Sequence, residues 1–319
     1  MRGLGTSPNL SSGAYARPVT ETWAGGNPLF LRARDGTRLA CWDFGAVTAA
    51  AGGADVVSLL MLHGAGMHGL CWAPIARALA AQALRPLALD IRGHGSSERS
   101  PGGRYELQLL AADVLAVVDQ TGPPGSRLIG VGQSLGASAL LLAEAARPGT
   151  FSRIWAWEPI VGGQENASRR ARGTELARQA CRRRARFASL DEARSHFQGR
   201  GMFSELPPSA LESFLSGAFV PSAEGGITLA CRPEDEARIY EMAAGNDTSE
   251  RLAEVTCPVR ALGGQLSQAV PPSELARIAA QLPFGEHVIM AGLGHFGPFQ
   301  KPAMAAEDIA NWATTGRPR

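Results

Sequence analysis

Leu128, Ile129, Gly130, Val131, Gly132, Gln133, Ser134, Leu135 and Gly136 form the stretch whose reading decides the fold. An apolar run of strand character reaches Val131 and a helical run continues from Ala137 to Ala146, so the G-x-S-x-G segment from Gly132 to Gly136 sits at a strand-to-helix junction. A serine on so sharp a turn takes a strained backbone conformation, and a side chain at either glycine would collide with the adjoining helix or strand. Glycine removes the collision. The turn exposes the Ser134 hydroxyl, while the new helix aims its first amide hydrogens and partial positive charge at oxygen that becomes anionic.

Outward from this junction the chain alternates short β-rich runs with helical ones, the pattern of a mostly parallel sheet covered by helices on both faces. Leu29 to Ala33 and Arg38 to Phe44 flank an Asp35-Gly36 turn and predict an opening antiparallel hairpin. Further strands are expected at Val56 to Leu62, Arg85 to Leu89, Arg127 to Val131, Ile154 to Trp157, Val259 to Leu262 and His287 to Met290. Helical spacing marks Cys71 to Gln82, Leu107 to Gln120, Ser134 to Ala146, Ser273 to Gln281 and Ala303 to Ala313. From Val161 to Arg251 the alternation stops, and helical periodicity runs on with almost no strand signal. The chain therefore divides into a mobile N-terminal tail at 1–27, a first core part at 28–160, an inserted helical cap at 161–251 and a second core part at 252–319.

With 319 residues, 45% of them hydrophobic, the chain is long enough for one large domain carrying an insertion. No apolar stretch approaches the roughly 20 residues needed to cross a bilayer, and the first 27 residues lack the apolar segment of a secretory signal. The five cysteines are scattered without a C-x-x-C pair, which argues against a disulfide framework or a zinc site and fits reduced thiols in a cytoplasmic protein. A net charge of +2 is too balanced to imply nucleic acid or a membrane surface as partner. Lys301 is the single lysine among 31 basic residues, and eight arginines crowd between Arg169 and Arg186. With Leu176, Ala177, Ala180 and Cys181 recurring beneath them, they read as a solvated helix face. Attraction of a carboxylate-bearing substrate is the second reading. Oligomeric state, a homo-oligomer included, is left open.

A serine hydroxyl needs an imidazole to take its proton. Of six histidines, His295 alone follows the final strand, inside the glycine-rich loop Gly292 to Pro298, and is the expected base. His63, Gly64, Ala65 and Gly66 follow the strand ending at Leu62, where the Ala65 amide can join that of Leu135 in binding an oxyanion. His63 is then structural, and His94, in the turn Arg92 to Ser96, is expected to hold loops together by hydrogen bonds. Gly64, Gly66 and Gly69 match G-x-G-x-x-G in spacing, but no acidic residue ends the next strand before Asp90, and His63 at the turn suits the serine-and-histidine reading better than a dinucleotide site. No metal-ligand cluster is seen, so no cofactor or metal is implied.

These motifs together resemble the α/β-hydrolase superfamily over residues 28 to 160 and 252 to 315. The resemblance implies an α/β fold with a mostly parallel eight-stranded sheet, and a carboxylate to orient the histidine. In many members that acid follows the seventh strand in a pattern like G-x-x-D, where this chain reads Gly264, Gln265, Leu266, Ser267. The preceding strand instead ends in Glu158, 24 residues after Ser134, and Pro159 ends sheet pairing there while favouring an extended Glu158. This placement is similar to haloalkane dehalogenases and some lactone hydrolases. Their halide chemistry, and that of related epoxide hydrolases, does not carry over, because position 134 is serine rather than an aspartate nucleophile. The expected triad is Ser134, His295 and Glu158.

The expected reaction is acyl transfer to Ser134 and then to water, cleaving a small-molecule ester, lactone or thioester. Hydrolysis of a carbon-carbon bond in a diketone uses the same constellation and is the nearest alternative. A cyclase, a lyase or a binding protein on the same fold is also weighed. Phe187, Phe197, Phe203, Phe214, Phe219 and Trp157 are candidates for lining the pocket, although aromatics at helical spacing usually serve packing.

Overall fold

A computed structural model of the chain describes residues 25–45, 56–122, 127–162, 167–244 and 246–314. The predicted tail lies outside these residues except for its last three, and Asn27 already belongs to the first strand. The strands are β1 Asn27–Arg32, β2 Arg38–Asp43, β3 Ser58–Leu62, β4 Arg85–Leu89, β5 Leu128–Gln133, β6 Arg153–Trp157, β7 Arg186–Phe187, β8 Phe219–Pro221, β9 Ile227–Leu229, β10 Val259–Gly264 and β11 Gly285–Met290. The helices are α1 Ala73–Ala80, α2 Leu107–Thr121, α3 Leu135–Ala146, α4 Ala167–Cys181, α5 Leu190–Phe197, α6 Pro208–Leu215, α7 Pro233–Ala244, α8 Thr248–Arg251, α9 Pro272–Gln281, α10 Gly297–Gln300 and α11 Pro302–Thr314.

Eight strands form one sheet in the order β1-β2-β4-β3-β5-β6-β10-β11, antiparallel across β1, β2 and β4 and parallel beyond. The central strands β3, β5 and β6 are buried at every position and mostly apolar, because both faces are covered and successive side chains point to opposite sides. Leu60 and Leu62 of β3 join the core beneath α2, α3 and α9, whereas Leu59 and Met61 join the one beneath α1 and α11. Burying each such leucine stabilises the fold by roughly 1.5–3 kcal/mol. Helix α3 is buried on all sides, which its run of alanine and leucine permits.

The parallel strands all end on one edge, and the loops that leave it are anchored by buried polar groups. Asp90, just past β4, accepts hydrogen bonds from the amides of Gly69 (2.6 Å) and Ser96 (2.8 Å) and from Trp42 Nε1 (3.1 Å). Arg92 is buried and bidentate to Asp113 (2.5 and 2.6 Å), with a third bond to Asp35 (2.9 Å), so its charge is not orphaned. His68 Nε2 donates to the Phe214 carbonyl at 2.7 Å, tying the loop after β3 to α6.

Burial pushes the His68 imidazole down to about 4. Below pH 6.5 the unfolded chain takes up a proton there that the native state refuses, so stability falls as pH drops from 6.5 towards 4. The cost at the acid end is on the order of 3 kcal/mol. Urea unfolding at pH 7, 6 and 5 should show this decline, and His68→Gln, which keeps a donor for Phe214, should make it shallower while the share of the buried His63 and His94 remains.

Between β6 and β10 the structure departs from a purely helical reading. Helices α4 to α8 are joined there by a three-stranded antiparallel sheet in the order β7-β9-β8. Its strands are two or three residues long, too short for an alternating pattern to register. Phe187, Phe203, Phe214 and Phe219 are buried and pack on one another, for example Phe203 on Phe214 at 4.9 Å between ring centres, so these rings serve packing. In α4, Ala177 and Ala180 are buried against Ala237 of α7 as the helical spacing predicts, whereas Cys181 is exposed. No helix among the described residues is long and apolar enough to cross a membrane.

Candidate active site

Ser134 stands between β5 and α3 with φ 55° and ψ −119°, a left-handed conformation that non-glycine residues rarely take. The strain is held by its surroundings: the Ser134 amide donates to the Trp157 carbonyl at 2.8 Å, and α3 is packed tightly onto the strand ends. A Cβ at Gly132 would lie 2.5 Å from Ala137 Cα, and one at Gly136 would lie 2.6 Å from the Leu62 carbonyl. Backbone atoms cannot yield as a side chain can. Gly136→Ala is therefore expected to cost about 2–3 kcal/mol, read from urea unfolding midpoints.

Glu158, at the end of β6, is fully buried and accepts three hydrogen bonds: from the Gly264 amide (2.9 Å), Ser267 Oγ (2.6 Å) and His295 Nδ1 (2.6 Å). Its backbone is not extended, as Pro159 led one to expect, but left-handed at φ 46°. The three bonds to its carboxylate, and a fourth from its own amide to the Leu262 carbonyl at 2.7 Å, outweigh the local preference. Ser267 occupies the last position of the segment that resembles G-x-x-D, so the residue standing where an acid is usual instead donates to the acid on the neighbouring strand.

His295 lies in the loop after β11, which crosses Trp157 so closely that a Cβ at Gly297 would come within 2.1 Å of the indole. Trp157 Nε1 donates to the His295 carbonyl at 3.0 Å and fixes the loop's height over the sheet. With Nδ1–H given to Glu158, the Nε2 lone pair faces the cavity. There the Gln133 side-chain amide approaches it at 3.2 Å and also donates to the His295 carbonyl at 3.2 Å. Among the described residues Ser134 Oγ holds no hydrogen bond, so the structure brings Glu158 and His295 into contact but does not join Ser134 to His295. Gln133 was not singled out from the sequence; its position directly before Ser134 was the available signal.

Ala65 and Leu135 face the same cavity as Ser134 and His295, and neither amide has an acceptor among the described residues. The loop carrying Ala65 is shaped by two buried histidines. His63 Nδ1 donates to the Gly64 carbonyl (2.8 Å) while Nε2 accepts from the Ile91 amide (3.0 Å). His94 Nε2 accepts from the Gly66 amide (3.1 Å) while Nδ1 donates to the Arg92 carbonyl (3.1 Å). Burial holds both imidazoles below their ordinary range, which keeps them neutral and able to accept.

The cavity measures about 450 Å³, the size of a site for a small molecule. Ser134, Leu135, Ala65 and His295 lie on the sheet side, with Leu176, Met202, Ile239 and Tyr240 facing them from the chain between β6 and β10. Among the described residues no three His, Cys, Asp or Glu side chains are grouped as metal ligands.

The chain matches the family model described as Alpha/beta hydrolase family over residues 59–308. It is 33% identical over 105 residues to "Monoglyceride lipase" of Homo sapiens, covering 32% of this chain and 35% of that protein. It is 32% identical over 108 residues to "Putative carbamate hydrolase RutD" of Variovorax paradoxus, covering 33% of this chain and 40% of that one. The matched stretches thus span well under half the length of these curated relatives. Among solved structures, an E-2-(acetamidomethylene)succinate hydrolase superposes with a TM-score of 0.75 at 20% identity, covering 91% of this chain and 100% of that one. The family match takes in the strand-to-helix turn at Ser134, Glu158 and the loop of His295, and on that extent this chain belongs to the alpha/beta hydrolase family.

Proposed function

We propose that the protein is a serine hydrolase that cleaves a small-molecule carboxylic ester, lactone or thioester through Ser134, His295 and Glu158. The observation that carries this reading is the 2.6 Å bond between Glu158 and His295 Nδ1, made beside a serine held at φ 55° on the wall of the same cavity. A buried carboxylate bonded to Nδ1–H fixes the imidazole tautomer and stabilises the imidazolium that forms when Nε2 takes a proton.

In this reading the Ser134 hydroxyl takes over the Nε2 lone pair that the Gln133 amide occupies, and Oγ attacks the carbonyl carbon as its proton passes to His295. The Ala65 and Leu135 amides receive the oxyanion. His295 then gives the proton to the leaving alcohol or thiol, and water repeats the sequence to release the acid and regenerate Ser134. Residues 161–251 act as the cap that roofs the cavity and sets which acyl or alcohol group fits, in a protein that works on soluble substrates in the cytoplasm.

A fluorophosphonate probe followed by peptide mapping tests the chemistry directly. Labelling confined to Ser134, together with release of p-nitrophenol from p-nitrophenyl butyrate, is the expected result. A protein that is folded, unlabelled at Ser134 and inert towards arylesters, thioesters and lactones is not such a hydrolase.

A further inference from the structure

Beside the main cavity lies a second one of about 330 Å³. The two share Ala65, Gly201, Met202, Tyr240 and Phe296 as walls, so the annex opens onto the loop that carries the oxyanion-binding amide. Its polar lining is unbalanced: Arg183, Arg184, Arg200 and His196 against one carboxylate, Glu236. That carboxylate is already engaged, by an ion pair with Arg183 and by the Tyr240 hydroxyl at 3.3 Å. Arg184 pairs with Glu192, which does not line the annex, and lies over the Phe187 ring at 4.5 Å. The Arg200 guanidinium has no carboxylate partner among the described residues.

We propose that this annex is an anion subsite, in which Arg200 and Arg184 hold a carboxylate or phosphate group of the substrate while its carbonyl sits at Ser134. The inference rests on the serine hydrolase reading and narrows its substrate class to acidic esters or thioesters. A guanidinium presents a planar fork of donors that matches either oxyanion in two-point fashion. Phe197, Phe203, Met202 and Phe296 line the same space and give the uncharged part of a ligand an apolar wall, while Arg184 and Arg200 stay open to solvent at its mouth. His196 registers the resulting field. Burial, then the charges of Arg200 and Arg184, hold its imidazole below the ordinary range, so the annex keeps a neutral donor beside its cations. Of the crowded arginines, Arg170, Arg178 and Arg182 lie away from the annex, whereas Arg183 and Arg184 line it together with Arg200 from farther along the chain.

Two matched substrate pairs test this: p-nitrophenyl hydrogen glutarate against its methyl ester, and the butyrate ester of 4-hydroxybenzoate against that of methyl 4-hydroxybenzoate. In at least one pair the anionic member should have a kcat/KM about ten-fold higher, the size of one charge-assisted hydrogen bond. That pair tells whether the acyl or the alcohol side reaches the annex. Arg200→Gln should erase the preference through KM while leaving the neutral member within about two-fold. Equal rates within both pairs, or a preference that survives Arg200→Gln and Arg184→Gln alike, overturns the subsite and leaves the hydrolase reading standing. If none of the four esters is cleaved, calorimetry with glutarate and inorganic phosphate decides. Binding of either that Arg200→Gln weakens about ten-fold or more upholds the subsite and shows which anion it takes. Absence of binding to both ends it.

Discussion

Ser134→Ala is expected to lower kcat for p-nitrophenyl butyrate by about 10⁴-fold to 10⁶-fold, with no change in unfolding free energy beyond about 0.5 kcal/mol. The asymmetry follows from the surroundings of the residue. Among the described residues its Oγ holds no hydrogen bond, so removing it orphans no partner, and alanine inherits the same left-handed backbone at no greater strain. The chemistry loses its nucleophile, and only the oxyanion amides and the positioning of the substrate remain. Burst and steady-state release of p-nitrophenol from matched preparations, with circular dichroism as the folding control, measure both halves. Equal rates for the two proteins would sink the covalent mechanism.

The order of elements was legible because most have a local signature: the Asp35-Gly36 turn ahead of β2, apolar runs in β3 and β5, and 3.6-residue spacing in α2 and α11. The strand-to-helix turn at Ser134 was legible for a stronger reason, since glycines at 132 and 136 answer a steric demand that no other residue meets. What stayed hidden depends on contacts between distant segments. Ser267 reads as the absence of an acid in its own loop, and its bond to Glu158 exists only because β6 and β10 are neighbours in the sheet. The left-handed Glu158 overrode the rule for residues before proline for the same reason. Gln133 had no pattern of its own, and its approach to His295 spans 162 residues of sequence.

The arginine-rich stretch shows where periodicity misleads by being half correct. Spacing in α4 places Ala177 and Ala180 inward and most arginines outward, as a solvated face requires. Past Cys181 the helix ends, the spacing carries no further information, and Arg183 and Arg184 turn back over Gly66 and the annex. A Cβ at Gly66 would lie 2.5 Å from Glu236 Oε1 and 3.1 Å from Arg183 Nη1, so that ion pair rests directly on the loop whose amide is proposed to hold the oxyanion.

Glu158→Gln should reduce kcat by about 10³-fold to 10⁴-fold in a protein that still folds. The Gly264 amide has to meet an acceptor, so the glutamine carbonyl keeps the position of Oε1 and its NH₂ turns to where Oε2 stood. That NH₂ then faces Ser267 Oγ and His295 Nδ1, both of which donated to the carboxylate. The serine hydroxyl can rotate and accept. The imidazole can satisfy the amide only by presenting the Nδ1 lone pair, which moves its proton to Nε2, and an Nε2–H cannot receive the proton of Ser134. The loss therefore falls on kcat through the tautomer and leaves KM nearly unchanged. Ser267→Ala keeps the charge and two of the three donors, so its cost should stay near ten-fold, the worth of one hydrogen bond to a charged group. Proton NMR of the imidazole N–H resonances separates the two cases. The Nδ1 proton should persist in Ser267→Ala and vanish in Glu158→Gln, whereas a glutamine variant with native turnover would place the orienting carboxylate elsewhere.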